Sequence, residues 1–524
     1  MKRRRFLQIS GGTIAGAAAT HWIGKLPLYA SSPLHKLTRK ALELDTTLVV
    51  IQLFGGNDGL NTIIPAEDPR YYQLRPNLAV PKEEAVRFGS SDVFLHPALV
   101  NGVYKNGLYR LIDNGWLAVV QGIGYDHPNL SHFRSTDIWL SGINSSDPNV
   151  RLNSGWLGRF FTHIYPDFPL LLPEHPLCIQ VGGTPSLLFR SPKGDVAITL
   201  TDPEKFLESG NLSPDAEPLD EDSLFAQEYN YVLSVAQEAN QYAEVIQQAF
   251  DNGRNVVEYD GGFPQQLRLV ARLISGGLKT KVYLVYLSSF DTHVQQQDEP
   301  GSGAHPALLR ALSTGISQFM DDLVQQGIAD NVIGMTISEF GRRPYENNSR
   351  GTDHGAASVQ LVFGTSVRGG VYGNNPDLEN LNENGDLVYQ YDYRRVYAEI
   401  LQTWFGGTPE DVEAVLQQRI LPLSILNPPT SLQLDTAAAF VQHFRVLPQP
   451  SNGPFTVELH LRHPATVDIA IYSLLGRYVT TITHAALPAG IHRFQGFLQH
   501  SGEYICVCRL NNRRNLTKTL IIQR

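Results

Sequence analysis

Short apolar runs rich in β-branched residues alternate with longer amphipathic stretches along most of the chain. The runs fall at 47–53, 116–121, 177–181, 281–287, 332–337 and 358–363. Few polar residues interrupt them, which predicts strands buried on both faces rather than strands with one wet face. Apolar residues return at helical spacing from Phe133 to Leu140, Pro306 to Val324 and Tyr393 to Trp404. Ser223 to Phe250, rich in Gln, Ala and Glu, predicts one or two further helices, and 202–222, rich in Pro, Asp, Glu and Ser, an exposed loop. This alternation predicts one large α/β domain over 46–425, with a mainly parallel sheet and helices on both faces.

The pattern changes near residue 426. Asn427-Pro-Pro and Pro448-Gln-Pro-Ser-Asn-Gly bracket a linker expected at 426–446. From 447 to 524 the runs are short and alternating, as at 456–461, 467–472, 504–508 and 519–522. They predict a small all-β sandwich. There is no internal repeat and no low-complexity tract.

The net charge of −9 over 524 residues gives no broad basic surface to neutralise phosphates, so a nucleic-acid partner is not expected. Three cysteines are too few for a disulfide scaffold, and none has zinc-finger spacing. At the N-terminus, Arg3-Arg4-Arg5-Phe6-Leu7 precedes a mild apolar stretch from Ile9 to Ile23 and a small-residue cleavage site near Ala30. This order predicts a twin-arginine export signal over 1–30, with the twin-arginine translocase as partner. The alternative is a basic tail before a packed helix. No other stretch approaches the ~20 apolar residues of a membrane span, so none is expected in the mature protein.

Carboxylates and imidazoles cluster at the ends of the predicted strands. Asp58 follows the first run, Asp291 and His293 follow 281–287, Glu339 with Arg342 and Arg343 follows 332–337, and Asp353-His354 precedes 358–363. Ligands of open α/β sheets bind outside the carboxyl ends of strands, so this placement points to a divalent metal site. Asp291 and His293, two apart, can point to one side and reach one ion. Each has a plainer alternative: Asp58 as a turn residue before Gly59, Asp291 as a helix cap with His293 on the surface. Arg342, Arg343 and Arg134 are candidates for holding an anion by paired hydrogen bonds, or ordinary surface arginines. His96 and His127 are lesser candidates, each preceding proline, with the shaping of a turn as the alternative.

Phe54-Gly-Gly-Asn-Asp-Gly-Leu-Asn-Thr62, Phe290-Asp-Thr-His293, Ser338-Glu-Phe-Gly-Arg-Arg343 and Gly351-Thr-Asp-His-Gly355 together resemble the domain of unknown function 1501 family, as do Leu95-His-Pro97 and Ser131-His-Phe133. The resemblance spans nearly all of 46–425. It implies a fold like the alkaline phosphatase and sulfatase superfamily of metal-dependent hydrolases, and a twin-arginine signal. Mapped onto that superfamily, Asp291, His293 and His354, with Asp353 beside it, form one metal site. Asp58 and Glu339 form a second, weakened because Phe340 stands where a histidine is expected. Ser131 or His132, at the start of a helix, falls at the nucleophile position, with an N-cap role as the alternative for Ser131. The absence of a Cys-x-Pro-x-Arg signature argues against a formylglycine sulfatase. Val467-Asp-Ile-Ala-Ile-Tyr-Ser-Leu-Leu-Gly-Arg477, Pro488-Ala-Gly490, Gly502-Glu-Tyr504 and Lys518-Thr-Leu-Ile-Ile522 resemble the sorting domain of type IX secretion, with an immunoglobulin-like accessory module as the alternative.

These resemblances imply an exported hydrolase of anionic phosphate or sulfate esters that uses divalent ions (Zn, Mn, Mg or Ca). It would pass through the periplasm and the type IX machinery to the cell surface or medium. The rival expectation is a non-catalytic exported protein that uses the same fold for binding or surface assembly. A third is that the ligand residues hold calcium for stability alone.

Overall fold

The computed structural model describes residues 21–23, 26–28, 44–166, 168–169, 172–200, 223, 242–298, 301–429, 441–473, 478–510 and 514–523. The arginines of the expected export signal, the loop at 202–222 and most of the helical stretch from Ser223 lie outside them; residues 242–250 of that stretch are helical, and the helix runs on to 252. The chain divides into two compact units, Met1–Asn427 and Pro428–Arg524.

In the first unit a nine-stranded sheet forms from β1 (Thr47–Leu53), β2 (Leu117–Gly124), β3 (Cys178–Val181), β4 (Ala197–Leu200), β5 (Val282–Leu287), β6 (Val332–Ile337), β7 (Ser358–Phe363), β8 (Gly370–Tyr372) and β9 (Tyr391–Asp392). Its order is β4-β3-β5-β1-β6-β7-β2-β8, with β9 also on β2. Every pairing is parallel except those of β7, which runs antiparallel to both β6 and β2. One reversed strand in the middle has a direct consequence. The loop before β7 reaches the same edge as the loops after the parallel strands.

Successive residues of β1 point to opposite faces and into separate cores. Leu48 and Val50 pack with α1 (His132–Ser141), α2 (Trp156–Ile164), α5 (Arg394–Glu399) and α6 (Pro409–Leu416), through Ile138, Phe160, Tyr397 and Val412. Val49 and Ile51 pack with α3 (Gly262–Ser275) and α4 (Ala304–Gln325), through Leu267, Val270, Leu312 and Phe319. Burial on both faces removes any reason for alternation, which is why the strands read as continuous apolar runs. The β2/β7 ladder holds a bulge: Ser358 pairs with Ile123 and Val359 with Gln121, leaving Gly122 unpaired at φ +59.

The second unit contains two antiparallel sheets. One joins β10 (Val441–Leu447), β11 (Pro454–Leu461) and β14 (Gly490–Phe497); the other joins β12 (Ala465–Ser473), β13 (Tyr478–Leu487), β15 (Gly502–Leu510) and β16 (Arg514–Ile522). Alternate residues such as Phe455, Val457, Leu459, Val467 and Ile469 fill their shared core. β10 falls mostly within the segment expected as linker: Phe444 and Val446 are buried alternately with exposed neighbours, as in a strand with one buried face, and the register shifts between Val441 and His443. Cys506 and Cys508 are free and buried on one strand face, as is Cys178 in the first unit.

Candidate metal centre at the carboxyl edge of the sheet

Three loops deliver side chains to one point beyond the carboxyl ends of β1, β5 and β6. His132 opens α1, downstream of β2, with Ser131 as the N-cap. Asp291 and His293 follow β5. Gly55 makes this approach feasible: a Cβ there would lie 2.3 Å from the Asp291 nitrogen, and its φ of +123 suits glycine alone. His354 precedes β7 and is fixed by a two-stranded ladder in which Arg342 pairs with His354.

The geometry is convergent. His293 Nε2 lies 2.9 Å from His354 Nε2 and 3.1 Å from Asp291 Oδ1. His354 Nε2 is 3.4 Å from Asp291 Oδ1, and His132 Nε2 is 3.5 Å from Asp291 Oδ2. The ligand atoms of His132, Asp291 and His354 all lie within 4.8 Å of one another.

Behind each imidazole stands an acceptor. His132 Nδ1 is 2.8 Å from Glu339 Oε1, His293 Nδ1 is 3.0 Å from Asp353 Oδ1, and His354 Nδ1 is 2.9 Å from the Leu130 carbonyl. Carboxylates and carbonyls only accept, so each Nδ1 donates, which leaves Nε2 as the atom turned toward the centre and able to serve as a ligand. Metal-binding histidines are oriented in this way. Burial draws the His354 pKa down, whereas the hydrogen bond to Glu339 raises that of His132 against its partial burial. Burial alone would raise the Asp291 pKa, but the Arg342 hydrogen bond and charge outweigh it and keep the carboxylate ionised. The donor set of three imidazoles and one carboxylate suits a borderline divalent ion such as zinc.

Several sequence expectations change. Asp58 does not face the centre. It is fully buried, its oxygens held by Arg75 Nη1 at 2.6 Å, Arg75 Nη2 at 3.0 Å and Gln296 Nε2 at 2.5 Å. Burial raises its pKa and Arg75 overcomes that, so it is an internal ion-pair partner. Glu339 orients His132 and accepts from the Gly55 N–H at 2.8 Å, leaving Oε2 buried without a partner. Asp353 likewise stands behind His293. The ring of Phe340 packs 4.9 Å from His132 and 4.3 Å from His354, walling one side of the cluster. A second metal site on Asp58 and Glu339 therefore does not form among the described residues.

The arginines expected to hold an anion are committed elsewhere. Arg342 is buried and donates to the Gly55, Gly56, Phe290 and Thr352 carbonyls as well as to Asp291. Arg134 donates to the carbonyls of Ser145, Asp147 and Val150. Arg343 lies against Tyr345 and 3.7 Å from Asp386. Ser131 is exposed, and its hydroxyl makes no capping hydrogen bond. His96 is buried and accepts from the Ala98 N–H, closing the turn after it, while His127 is exposed with φ +50. Arg75, Gln296 and the Leu130 carbonyl escaped the sequence reading, because no motif marks a buried partner.

No curated protein matches the chain. Among solved structures it is similar to a sulfatase from Pseudoalteromonas sp., 10% identical, covering 92% of this chain and 91% of that one with a TM-score of 0.33. It is similar to a protein in the alkaline phosphatase superfamily from Vibrio parahaemolyticus, 10% identical, covering 82% and 84% with a TM-score of 0.33. A shorter stretch, 18% of this chain and 33% of the other, is 17% identical to a Pseudomonas fluorescens alkylpurine DNA glycosylase with a TM-score of 0.14. Superpositions this loose assign no chemistry. A family model described as "Protein of unknown function (DUF1501)" matches residues 132–417, more than half of the chain and the span that carries His132, Asp291, His293 and His354, and the chain belongs to that family.

Proposed function

We propose that the cluster binds one divalent metal ion through His132, Asp291, His293 and His354, and that the protein hydrolyses phosphate or sulfate esters there. The observation that carries this reading is the orientation of three imidazoles, each held by an acceptor at Nδ1 with Nε2 turned to one carboxylate. A bound ion would supply Lewis acidity toward an anionic oxygen. The chain's own residues do the rest. Arg342 fixes Asp291, Glu339 and Asp353 hold His132 and His293 in register, and the Phe340 ring keeps water from one side of the site. In this reading His132 is a ligand rather than a nucleophile.

A second reading, binding without turnover, is favoured by Phe340, whose ring packs against His132 and His354 at the position where a histidine of a second site is expected. Elemental analysis of purified protein, joined to an assay on 4-nitrophenyl phosphate and 4-nitrophenyl sulfate, separates the two. Metal with turnover supports the hydrolase, metal without turnover the binder, and absence of metal overturns both.

We further propose export by the twin-arginine route, supported by Arg3-Arg4-Arg5-Phe6-Leu7, and surface delivery through the C-terminal unit, supported by its resemblance to type IX sorting domains. Among the described residues no helix is long and apolar enough to cross a membrane.

A further inference from the structure

Beside the metal cluster, along the same sheet edge, a pocket of about 490 Å³ opens over the carboxyl ends of β3 and β5. That size lies in the range of small-molecule sites. Phe54 is the shared wall. It lines the pocket, and its ring centroid is 5.8 Å from that of His132.

The pocket is built rather than incidental. Gln180, buried on β3, donates from Nε2 to the Gly182 and Thr184 carbonyls at 2.8 and 2.7 Å and accepts from the Ser186 N–H at 2.9 Å. The loop after β3 is thus clamped from below. Gly182 and Gly183 take it through two successive left-handed positions, φ +71 and +77, which keep that rim free of side chains. On the opposite side Gln266 pairs with both backbone groups of Tyr286, at 2.8 and 3.0 Å, and fixes that wall.

None of the lining residues carries a charge. The pocket is lined by the aromatic side chains of Phe54, 39% exposed, and Tyr286, and by the hydroxyl-bearing Thr184 and Ser288, both exposed. Aromatic faces with hydroxyls suit a ring that is flat or has an apolar face and carries polar substituents without charge.

We propose that this pocket is the subsite for the alcohol portion of an ester whose anionic group lies at the metal cluster, and that this portion is an uncharged, ring-containing group. The inference rests on the metal-site reading above. It adds where specificity is set and what chemistry is selected.

The test uses metal-loaded full-length protein and calorimetric titration with two probes, phenyl phosphate and inorganic phosphate. Wild type is expected to bind phenyl phosphate more than tenfold tighter. Thr184→Trp and Ser288→Trp, both at exposed positions, should fill the pocket and abolish that preference while leaving inorganic phosphate binding unchanged. Equal affinities in wild type, or a preference that survives both substitutions, would overturn the subsite. If neither anion binds, the metal-site reading has failed. The neutral probe phenyl β-glucoside, titrated into metal-free protein, then decides the pocket alone: saturable binding lost in Thr184→Trp supports it, and no binding overturns it.

Discussion

His293 Nε2 and His354 Nε2 face each other at 2.9 Å although each ring already donates its Nδ1 proton to an oxygen, to Asp353 and to the Leu130 carbonyl. With both Nδ1 protons so committed, the two Nε2 atoms meet without conflict only where a proton or a cation lies at them. A cation between them and Asp291 removes the conflict. Asp291→Asn and His354→Asn are therefore expected to release the bound ion, and Asp353→Asn to weaken it about 10–100-fold by loosening His293. Equilibrium dialysis with elemental analysis checks all three, and equal metal content in wild type and variants would show the site to be misplaced.

Asp58 is expected to behave differently. Its partner Arg75 is fully buried with it, so Asp58→Asn leaves a guanidinium without its counter-charge. Breaking a buried pair from one side costs about 3–5 kcal/mol. The variant should unfold at clearly lower denaturant concentration yet bind metal with stoichiometry unchanged. Loss of metal at full stability would return Asp58 to the role of ligand.

Acid should weaken the fold before carboxylates titrate. Burial lowers the pKa of His305 from 6.5 to about 3 and that of His96 from 6.5 to about 4. Both stay neutral in the native state while the unfolded chain takes up protons below about pH 6.5. Stability is then lost as pH falls from 6.5 toward 4, at up to about 1.4 kcal/mol per pH unit for each group. Chemical denaturation of metal-free protein between pH 7.5 and 5 measures this. His305→Asn should flatten the slope, and a slope unaffected by that change would rule the residue out as its source.

Replacing Arg3, Arg4 and Arg5 by lysine should retain the protein in the cytoplasm, since charge is conserved but the guanidinium groups are lost. Deleting 428–524 should leave the first unit folded, because it is a compact unit and, among the described residues, its large cores are built from its own side chains. If the second unit is a sorting signal, the truncated chain should stop in the periplasm with its metal. Fractionation of the native host reads both outcomes; surface display without residues 428–524 would leave the accessory-module alternative.

The sheet was legible because burial on both faces writes strands as apolar runs, and the residues of the cluster because they sit at the ends of those runs. Asp291, His293 and His354 needed only the rule about carboxyl edges. Asp58 misled because its loop carries a ligand-like motif, while its partner Arg75 lies in a segment with no chemical signature. Arg342 and Arg134 misled for a related reason. A guanidinium's five donors suit an anion or a set of backbone carbonyls equally well, and only the packed loops decide which. The pocket beside the cluster was out of reach, since glycines, an amide and two aromatic rings from distant segments announce nothing in sequence.

The unpaired Gly122 sets more than a local kink. β2 leads out to His132 and β7 begins just after His354, so the β2/β7 ladder acts as a vernier between two proposed ligands of one ion. Removing the extra residue would slide one strand past the other by about 3.4 Å, against a coordination tolerance of about 0.2 Å. The spacing of His132 from His354 is thus written, several residues away, into the counting of a single strand pair.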